Sequence, residues 1–194
     1  DGNLNVVHNQ SIVIDQGKIL QIDTFDKLIF NANAKIIDLG GKHVYPGLIM
    51  PMSQLGLTEI GAVRATDDTR ETGTINAAVR SIVAYNTDSE LIPSIRSNGV
   101  MIAQIVPSGG LISGASSVVH LDAWNWEDAV IEMDHVIHLN WPSKYANAYR
   151  RTEPLQKNKN YDMQVESIQK FFMDAKAYDK MSKPEKTNLH FESV

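Results

Sequence analysis

The spacing of apolar residues changes at about Pro46, and this change constrains the fold more than any other feature. Before it, residues 11–15 and 18–23 alternate apolar and polar side chains on either side of a glycine turn, which predicts a β-hairpin. Residues 34–38 predict one further strand. Short strands separated by turns are typical of a β-sandwich, so we expect residues 1–45 to form a segment of one.

Beyond Pro46 the pattern predicts alternating strands and helices, an α/β arrangement. Residues 48–50 are expected to form a strand, and residues 88–96 a helix that begins at Asp88 or Ser89. The apolar run 100–106 is typical of a strand buried on both faces of a parallel sheet. Together these segments predict a βαβ unit.

The remaining segments predict a mixture of strands, helices and one polar loop. Residues 107–114 are rich in glycine and are expected to form a turn, followed by a strand over 116–121. Asn125 is expected to cap a helix that reaches about Met133. We further expect a strand at 135–139, a polar loop or insertion at about 143–160 and an amphipathic helix over 161–181.

Composition excludes several classes of function. The 194 residues carry a formal net charge of −5, which argues against nucleic-acid or anionic-membrane partners. No apolar run approaches the roughly 20 residues that span a bilayer. The sequence has no cysteine, so disulfides, thiolate metal sites and cysteine nucleophiles are excluded. The sequence opens on Asp1 rather than Met, so we expect that an N-terminal piece is missing. If that piece is a signal peptide, we expect the protein to be exported; the sequence alone does not identify its cellular compartment.

Residues 42–49, Lys-His-Val-Tyr-Pro-Gly-Leu-Ile, resemble the junction at which amidohydrolases pass from an N-terminal β-sandwich into a TIM-type barrel. Residues 55–68, 86–100 and 112–128 are similar to the imidazolonepropionase-related branch of that family. The resemblance implies a sandwich segment over 1–45, then an incomplete TIM-type (β/α) barrel over 46–194. It also implies a metal-dependent hydrolase that acts on carbon–nitrogen bonds other than peptide bonds.

The same resemblance raises a difficulty at residues 50–54. The family usually has Asp-Ala-His-x-His here, and its two histidines hold a divalent metal. In this chain the two histidine positions are Met52 and Gln54. A thioether and an amide do not replace two imidazoles on Zn²⁺. We therefore expect no metal site within this chain, and ligands for Zn²⁺ or a similar ion only beyond Val194 in a full-length protein.

Two functions follow from that difficulty. In the first, we expect the full-length protein to be a hydrolase of a small-molecule substrate and this chain alone to be inactive. Alternatively, the protein is a non-catalytic binding or scaffold module that keeps the fold without the metal. In both cases we expect the remainder of the barrel, or another subunit, to complete the fold.

The sequence identifies no catalytic residue, but it suggests residues that line a pocket: Ser53, Glu59, Gly109, Gly110 and Ser113. The glycines could free backbone N–H groups to bind an anion, although a tight turn is the favoured interpretation. The segment that holds Glu59 is favoured as a solvated loop. The alternatives are an ion pair between Glu59 and Arg64, and a buried general base at Asp67 or Asp68.

Three neighbouring residues, Asp134, His135 and His138, resemble a metal cluster in composition. On a strand, however, positions 135 and 138 point to opposite faces and cannot share one ion. We therefore favour a core or surface role for each histidine. His43 in the junction is expected to be structural.

Overall fold

A computed structural model describes residues 6–145, 156–181 and 187–194. The chain divides into two compact units, Asp1–Pro46 and Gly47–Val194. The first contains a hairpin, and the second contains a four-stranded sheet with its helices.

In the first unit, strands β1 (Ser11–Asp15) and β2 (Lys18–Asp23) pair antiparallel, as predicted. Gln16 and Gly17 between them have φ of 48° and 73°. Positive φ at both central residues is the requirement of a type I′ turn, whose twist matches that of the paired strands. The glycine turn therefore sets the register of the hairpin.

The strand predicted at residues 34–38 is wrong, because this segment has no strand partner among the described residues. Ile36 and Ile37 are 64% and 66% exposed. Apolar spacing alone does not make a strand, since the ladder needs a hydrogen-bonding neighbour. Over residues 6–46 the structure shows one two-stranded sheet and a 3-10 turn at Phe25–Lys27, and not a sandwich of two sheets.

The second unit is built on one sheet with the strand order β3-β4-β5-β6. The strands are β3 (Leu48–Ser53), β4 (Val100–Ile105), β5 (Ile112–His120) and β6 (Val130–Leu139). Strands β3 and β4 are parallel, and helix α1 (Leu91–Ser97) lies between them in sequence. This confirms the predicted βαβ unit.

After β4 the sheet becomes antiparallel, so the predicted strand–helix alternation is wrong there. Residues 106–111 join β4 to β5, and residues 121–129 join β5 to β6. Both connections are shorter than the dozen or more residues that a parallel crossover needs. The described strands therefore form an open mixed sheet and do not show a TIM-type barrel.

Several predicted boundaries also differ from the structure. Strand β5 begins at Ile112, four residues early, so part of the predicted glycine-rich turn is strand. Helix α1 begins at Leu91 rather than near Asp88. Helix α2 (Trp126–Ala129) does not continue to Met133, because β6 begins at once. The Asn125 cap is confirmed: its Oδ1 accepts from Asp128 N at 2.7 Å.

Burial of β4 is uneven, which corrects the prediction of a strand covered on both faces. Met101 near its start is 46% exposed, whereas Ala103 and Ile105 are fully buried. Ile105 belongs to the larger core cluster, which also includes Leu57, Ile82 and Val119. The core therefore lies toward the carboxyl end of β4, close to the edge where β3 also ends.

Helix α3 (Tyr161–Asp179) confirms the amphipathic helix predicted over 161–181. It buries Ile168, Phe171 and Ala175. Phe171 joins a second core cluster with Ala77 and Ile112, against which Phe191 of helix α4 (Leu189–Glu192) also packs. This cluster attaches the C-terminal helices to the start of β5.

Most of the predicted polar loop at 143–160 lies outside the described residues. At its two ends, Tyr145 and Lys157 form an isolated antiparallel bridge. None of the helices in the described segments is long and apolar enough to cross a membrane.

Candidate functional site

A cleft of about 310 Å³ opens at the carboxyl ends of β3 and β4. Because these strands are parallel, their carboxyl ends meet at one edge of the sheet, the edge at which α/β proteins build their sites. The cleft is lined by Met52, Gln54, Val106, Pro107, Ser108, His138 and Asn140. Met52 and Gln54 therefore both line the cleft. They stand at the two positions where the resemblance would place histidines.

The end of β3 turns sharply where it meets the cleft. Met52 has a φ of +52°, a conformation that non-glycine residues rarely adopt, and it is 71% exposed. Ser53 holds the turn: its Oγ accepts from Leu55 N at 3.0 Å, and its carbonyl accepts from Val106 N at 2.8 Å. The predicted pocket residue Ser53 thus lies between two cleft-lining residues and supports the backbone.

His138 enters the cleft from β6 and is oriented by buried polar groups beneath it. Its Nε2 lies 2.8 Å from Ser116 Oγ, which also receives a hydrogen bond from Gln104 Nε2 at 2.9 Å. Ser116 is fully buried, and its Oγ also lies 3.3 Å from the Val136 carbonyl. Its one proton can go to that carbonyl or to His138 Nε2, so the contact orients the imidazole with either ring tautomer. Burial lowers the pKa of His138, which favours the neutral ring.

Asn140 connects the cleft to the glycine-rich turn. Its Nδ2 donates to Ser113 Oγ at 2.7 Å, to Gly110 O at 3.1 Å and to Gly109 O at 3.4 Å. Three predicted pocket residues therefore surround Asn140 rather than line the cleft themselves. The glycines present carbonyl oxygens to this amide, and a Cβ at Gly110 would lie 2.8 Å from Thr74 O. These contacts are those of a tightly packed turn.

Glu59 lies in a different place, at the start of helix α1. Its Oε1 accepts from Asn86 Nδ2 at 3.2 Å, and its Oε2 accepts from Ser89 Oγ at 3.1 Å. Ser89 is only 1% exposed, so this carboxylate ties the loop to the helix. No ion pair joins Glu59 to Arg64 within the described segments.

Asp67, one of the two aspartates considered as a general base, is held as a carboxylate. Thr69 donates to its Oδ1 from the hydroxyl at 2.5 Å and from the backbone N–H at 3.2 Å. These hydrogen bonds lower the pKa of Asp67. A carboxylate with a lowered pKa is a poor proton acceptor, so the geometry favours a structural role for it.

The three residues that resembled a metal cluster do not converge. Asp134 Oδ2 pairs with Arg80 Nε at 2.7 Å, and His135 Nδ1 lies 3.0 Å from Glu132 Oε1. His138 alone faces the cleft. Within residues 6–145, 156–181 and 187–194, no three His, Asp or Glu side chains come together to hold a metal.

The cleft itself offers a donor set that does not suit Zn²⁺. Its polar side chains are one imidazole, two amides and a serine hydroxyl, and Met52 adds a thioether. Zinc sites are built from several imidazole, thiolate or carboxylate ligands. The residues present therefore do not fit the metal that the resemblance implies.

His43 lies in the first unit, with its ring stacked 6.2 Å from that of Tyr45.

Comparison with known proteins gives one structural match. No protein-family model and no curated protein matches the sequence. The crystal structure of an amidohydrolase from Thermotoga maritima MSB8 matches with a TM-score of 0.76 and 20% sequence identity. The chain has an amidohydrolase-like fold. The match covers 94% of this chain and 49% of the other, so the chain spans about half the length of that protein.

The sequence interpretation missed the place in the cleft of two polar residues, His138 near the end of β6 and Asn140 directly after that strand. They lie two residues apart, so on an extended strand they share one face. That spacing is the signal that could have placed them together. Ser116, the partner of His138, lies 22 residues before it, and the strand register that joins the two cannot be read from local spacing.

Proposed function

We propose that this chain is part of an amidohydrolase-type hydrolase that acts on carbon–nitrogen bonds other than peptide bonds. The amidohydrolase-like fold over 94% of the chain is the observation that carries the proposal. The cleft supports it, because it lies at the carboxyl ends of parallel strands β3 and β4. The motifs in residues 42–49, 55–68, 86–100 and 112–128 favour the imidazolonepropionase-related branch.

In this proposal the chain supplies a wall of the substrate site and no metal ligand at Met52 or Gln54. Any divalent metal is held by other residues of the full-length protein. Gln54 and the neutral imidazole of His138 offer hydrogen bonds to a small polar substrate. Completion of a barrel by the remainder of the protein, or by another subunit, belongs to the same proposal.

A second candidate is a non-catalytic binding module with the same fold. Its support is the chemistry of the cleft: a thioether and an amide stand where the family usually carries two imidazoles, and the lining has no carboxylate. Such a protein would keep the cleft for recognition alone.

Metal analysis of the full-length protein, combined with assays on cyclic amides, separates the two. For a hydrolase we expect stoichiometric Zn, Mn or Fe after dialysis, together with ring opening of a cyclic amide. The variants Met52→Ala and Gln54→Ala are matched controls, and we expect both to keep the metal content of the wild type. A metal-free, inert full-length protein would contradict the hydrolase and support the binding module.

A further inference from the structure

Met52 and His138 bring two metal-binding donors to the same cleft, a thioether sulfur and an imidazole nitrogen. The other polar side chains of the lining are amides and one hydroxyl, so among the described residues it holds no carboxylate and no second imidazole. Thioethers are soft ligands that select Cu(I), and imidazole also suits copper. The pair of donors that does not suit Zn²⁺ therefore suits a soft metal ion.

The backbone holds Met52 at the cleft, while its side chain stays accessible. Its φ of +52° is strained for a non-glycine residue, and such strain clusters at functional sites. The next residue, Ser53, fixes this turn through hydrogen bonds from Leu55 N at 3.0 Å and Val106 N at 2.8 Å. The Met52 side chain is 71% exposed, and its rotatable bonds let the sulfur move toward an ion.

His138 has the support that histidines need in order to bind a metal. Such histidines almost always donate their other ring N–H to a fixed acceptor, which sets the orientation of the ring. Here Nε2 lies 2.8 Å from the Oγ of the fully buried Ser116, and Gln104 Nε2 donates to the same oxygen at 2.9 Å. An ion bound at Nδ1 would leave the ring proton on Nε2, where Ser116 Oγ can accept it. The ion itself would therefore select this tautomer.

The charge of the lining favours a monovalent ion over a divalent one. None of the lining residues carries a formal charge when His138 is neutral. The cost of taking an ion out of water rises steeply with its charge, and a dication would gain no opposite charge here. Cu(I) carries a single charge, and as a closed-shell ion it accepts few ligands. Both properties match a pair of neutral donors.

We propose that Met52 and His138 form a binding site for a soft monovalent metal ion, of which Cu(I) is the biological case. The inference goes beyond the proposed function, whose metal is a divalent ion such as Zn²⁺ to which Met52 is no ligand. Cu(I) binding requires no hydrolysis, and hydrolysis requires no Cu(I), so each proposal can fail while the other stands.

The test is a titration of the full chain with Cu(I) in anaerobic, reducing buffer, against the chromogenic chelator bathocuproine disulfonate. We expect one equivalent of Cu(I) to bind. Met52→Leu removes the sulfur but keeps an apolar side chain of similar volume, and it should weaken binding about tenfold or more. Met163→Leu is the matched control, because Met163 is 63% exposed on helix α3 and should not contribute.

A matched pair of histidine variants tests the second ligand. His138→Gln should also weaken Cu(I) binding about tenfold or more, because it removes the imidazole donor. His135→Gln should bind as the wild type does, since the ring of His135 lies beside Glu132 and not in the cleft.

A further readout needs no substitution, so it holds even if His138→Gln fails to fold. In protein labelled with carbon-13 at the methionine methyl groups, the Met52 resonance should move when Ag(I), a redox-inert soft ion, is added. The same concentration of Zn²⁺ should leave it in place. Equal Cu(I) binding by Met52→Leu, an unmoved Met52 resonance, or a Zn²⁺ response equal to that of Ag(I) would overturn the inference.

Discussion

Gly114 offers the sharpest test of the sheet that supports the cleft. It lies in β5, pairs in register with His138, and has a φ of +122°. A Cβ built there would lie 2.4 Å from Val79 O and 2.9 Å from Val79 Cβ. The Val79 carbonyl cannot move aside freely, because it accepts from Ala115 N at 2.7 Å. We therefore expect Gly114→Ala to shift backbone rather than a flexible side chain.

The expected cost has two parts. A non-glycine residue at such a φ costs about 1–3 kcal/mol. Forcing extra atoms into a packed site costs about 1–3 kcal/mol more. Gly99 is the matched control: it lies in the same unit with a φ of +89°, but a Cβ there meets nothing within 4 Å. Gly99→Ala should therefore show only the backbone cost, and the difference between the variants should be about 1–3 kcal/mol.

Urea unfolding followed by tryptophan fluorescence measures this difference. With a denaturant dependence of about 2 kcal/mol per molar urea, a gap of 2 kcal/mol separates the two midpoints by about 1 M. Gly114→Ala should have the lower midpoint and an unchanged slope. If its midpoint equals or exceeds that of Gly99→Ala, the packing of β5 against Val79 is not as described.

Three further predictions concern hydrogen bonds and protons. Asn140→Ala should lower the free energy of unfolding by about 1–3 kcal/mol in urea melts, since it leaves Ser113 Oγ and two carbonyls without their donor; an unchanged midpoint would contradict this. Because burial lowers the pKa of His138, the unfolded chain binds the proton first, so stability should fall as pH drops below about 6.5. His138→Gln should flatten that dependence in melts from about pH 8 to pH 5, and a curve identical to the wild type would refute the assignment. The Thr69 hydrogen bonds lower the pKa of Asp67, so they should stabilise the fold at pH values above about 3.8, the ordinary pKa of this carboxyl group, and this stability should be lost as the pH falls further. In acid melts, Asp67→Asn should remove this contribution to the pH dependence. An unchanged pH dependence in Asp67→Asn would contradict a stabilising role for the Thr69 contacts.

The parts of the fold that the sequence predicted are those that local spacing determines. The β1–β2 hairpin has a turn whose residues require positive φ, and α3 repeats its apolar positions at helical spacing. The start of β5 was not predicted, because residues 113–117 are all Ser, Gly or Ala and show no alternation of apolar and polar side chains. They are nonetheless buried on both faces, which small side chains allow in a crowded sheet. Packing from other segments makes this stretch a strand.

The cleft was predicted only in part for a similar reason. The resemblance of residues 42–49 placed Met52 and Gln54 at a site, and both line the cleft. His138 depends on the register of β6 against β5, which shifts near Ser116 and Val118. Asp134 in the same strand has a φ of +50°, so the alternation of faces is interrupted just before the histidines. No pattern in β6 alone indicates which of its two histidines faces the cleft.

The turned backbone at Met52 bears on how this cleft could change over evolutionary time. In a regular strand, residues two apart share a face, and two ligands at such positions can approach one ion together. Here the φ of +52° at Met52 and the register shift between Met50 and Ser53 interrupt that relation. Histidines substituted at 52 and 54 would inherit this bend rather than one continuous face. The substitutions Met52→His and Gln54→His would therefore not by themselves place two imidazoles on one face of a regular strand.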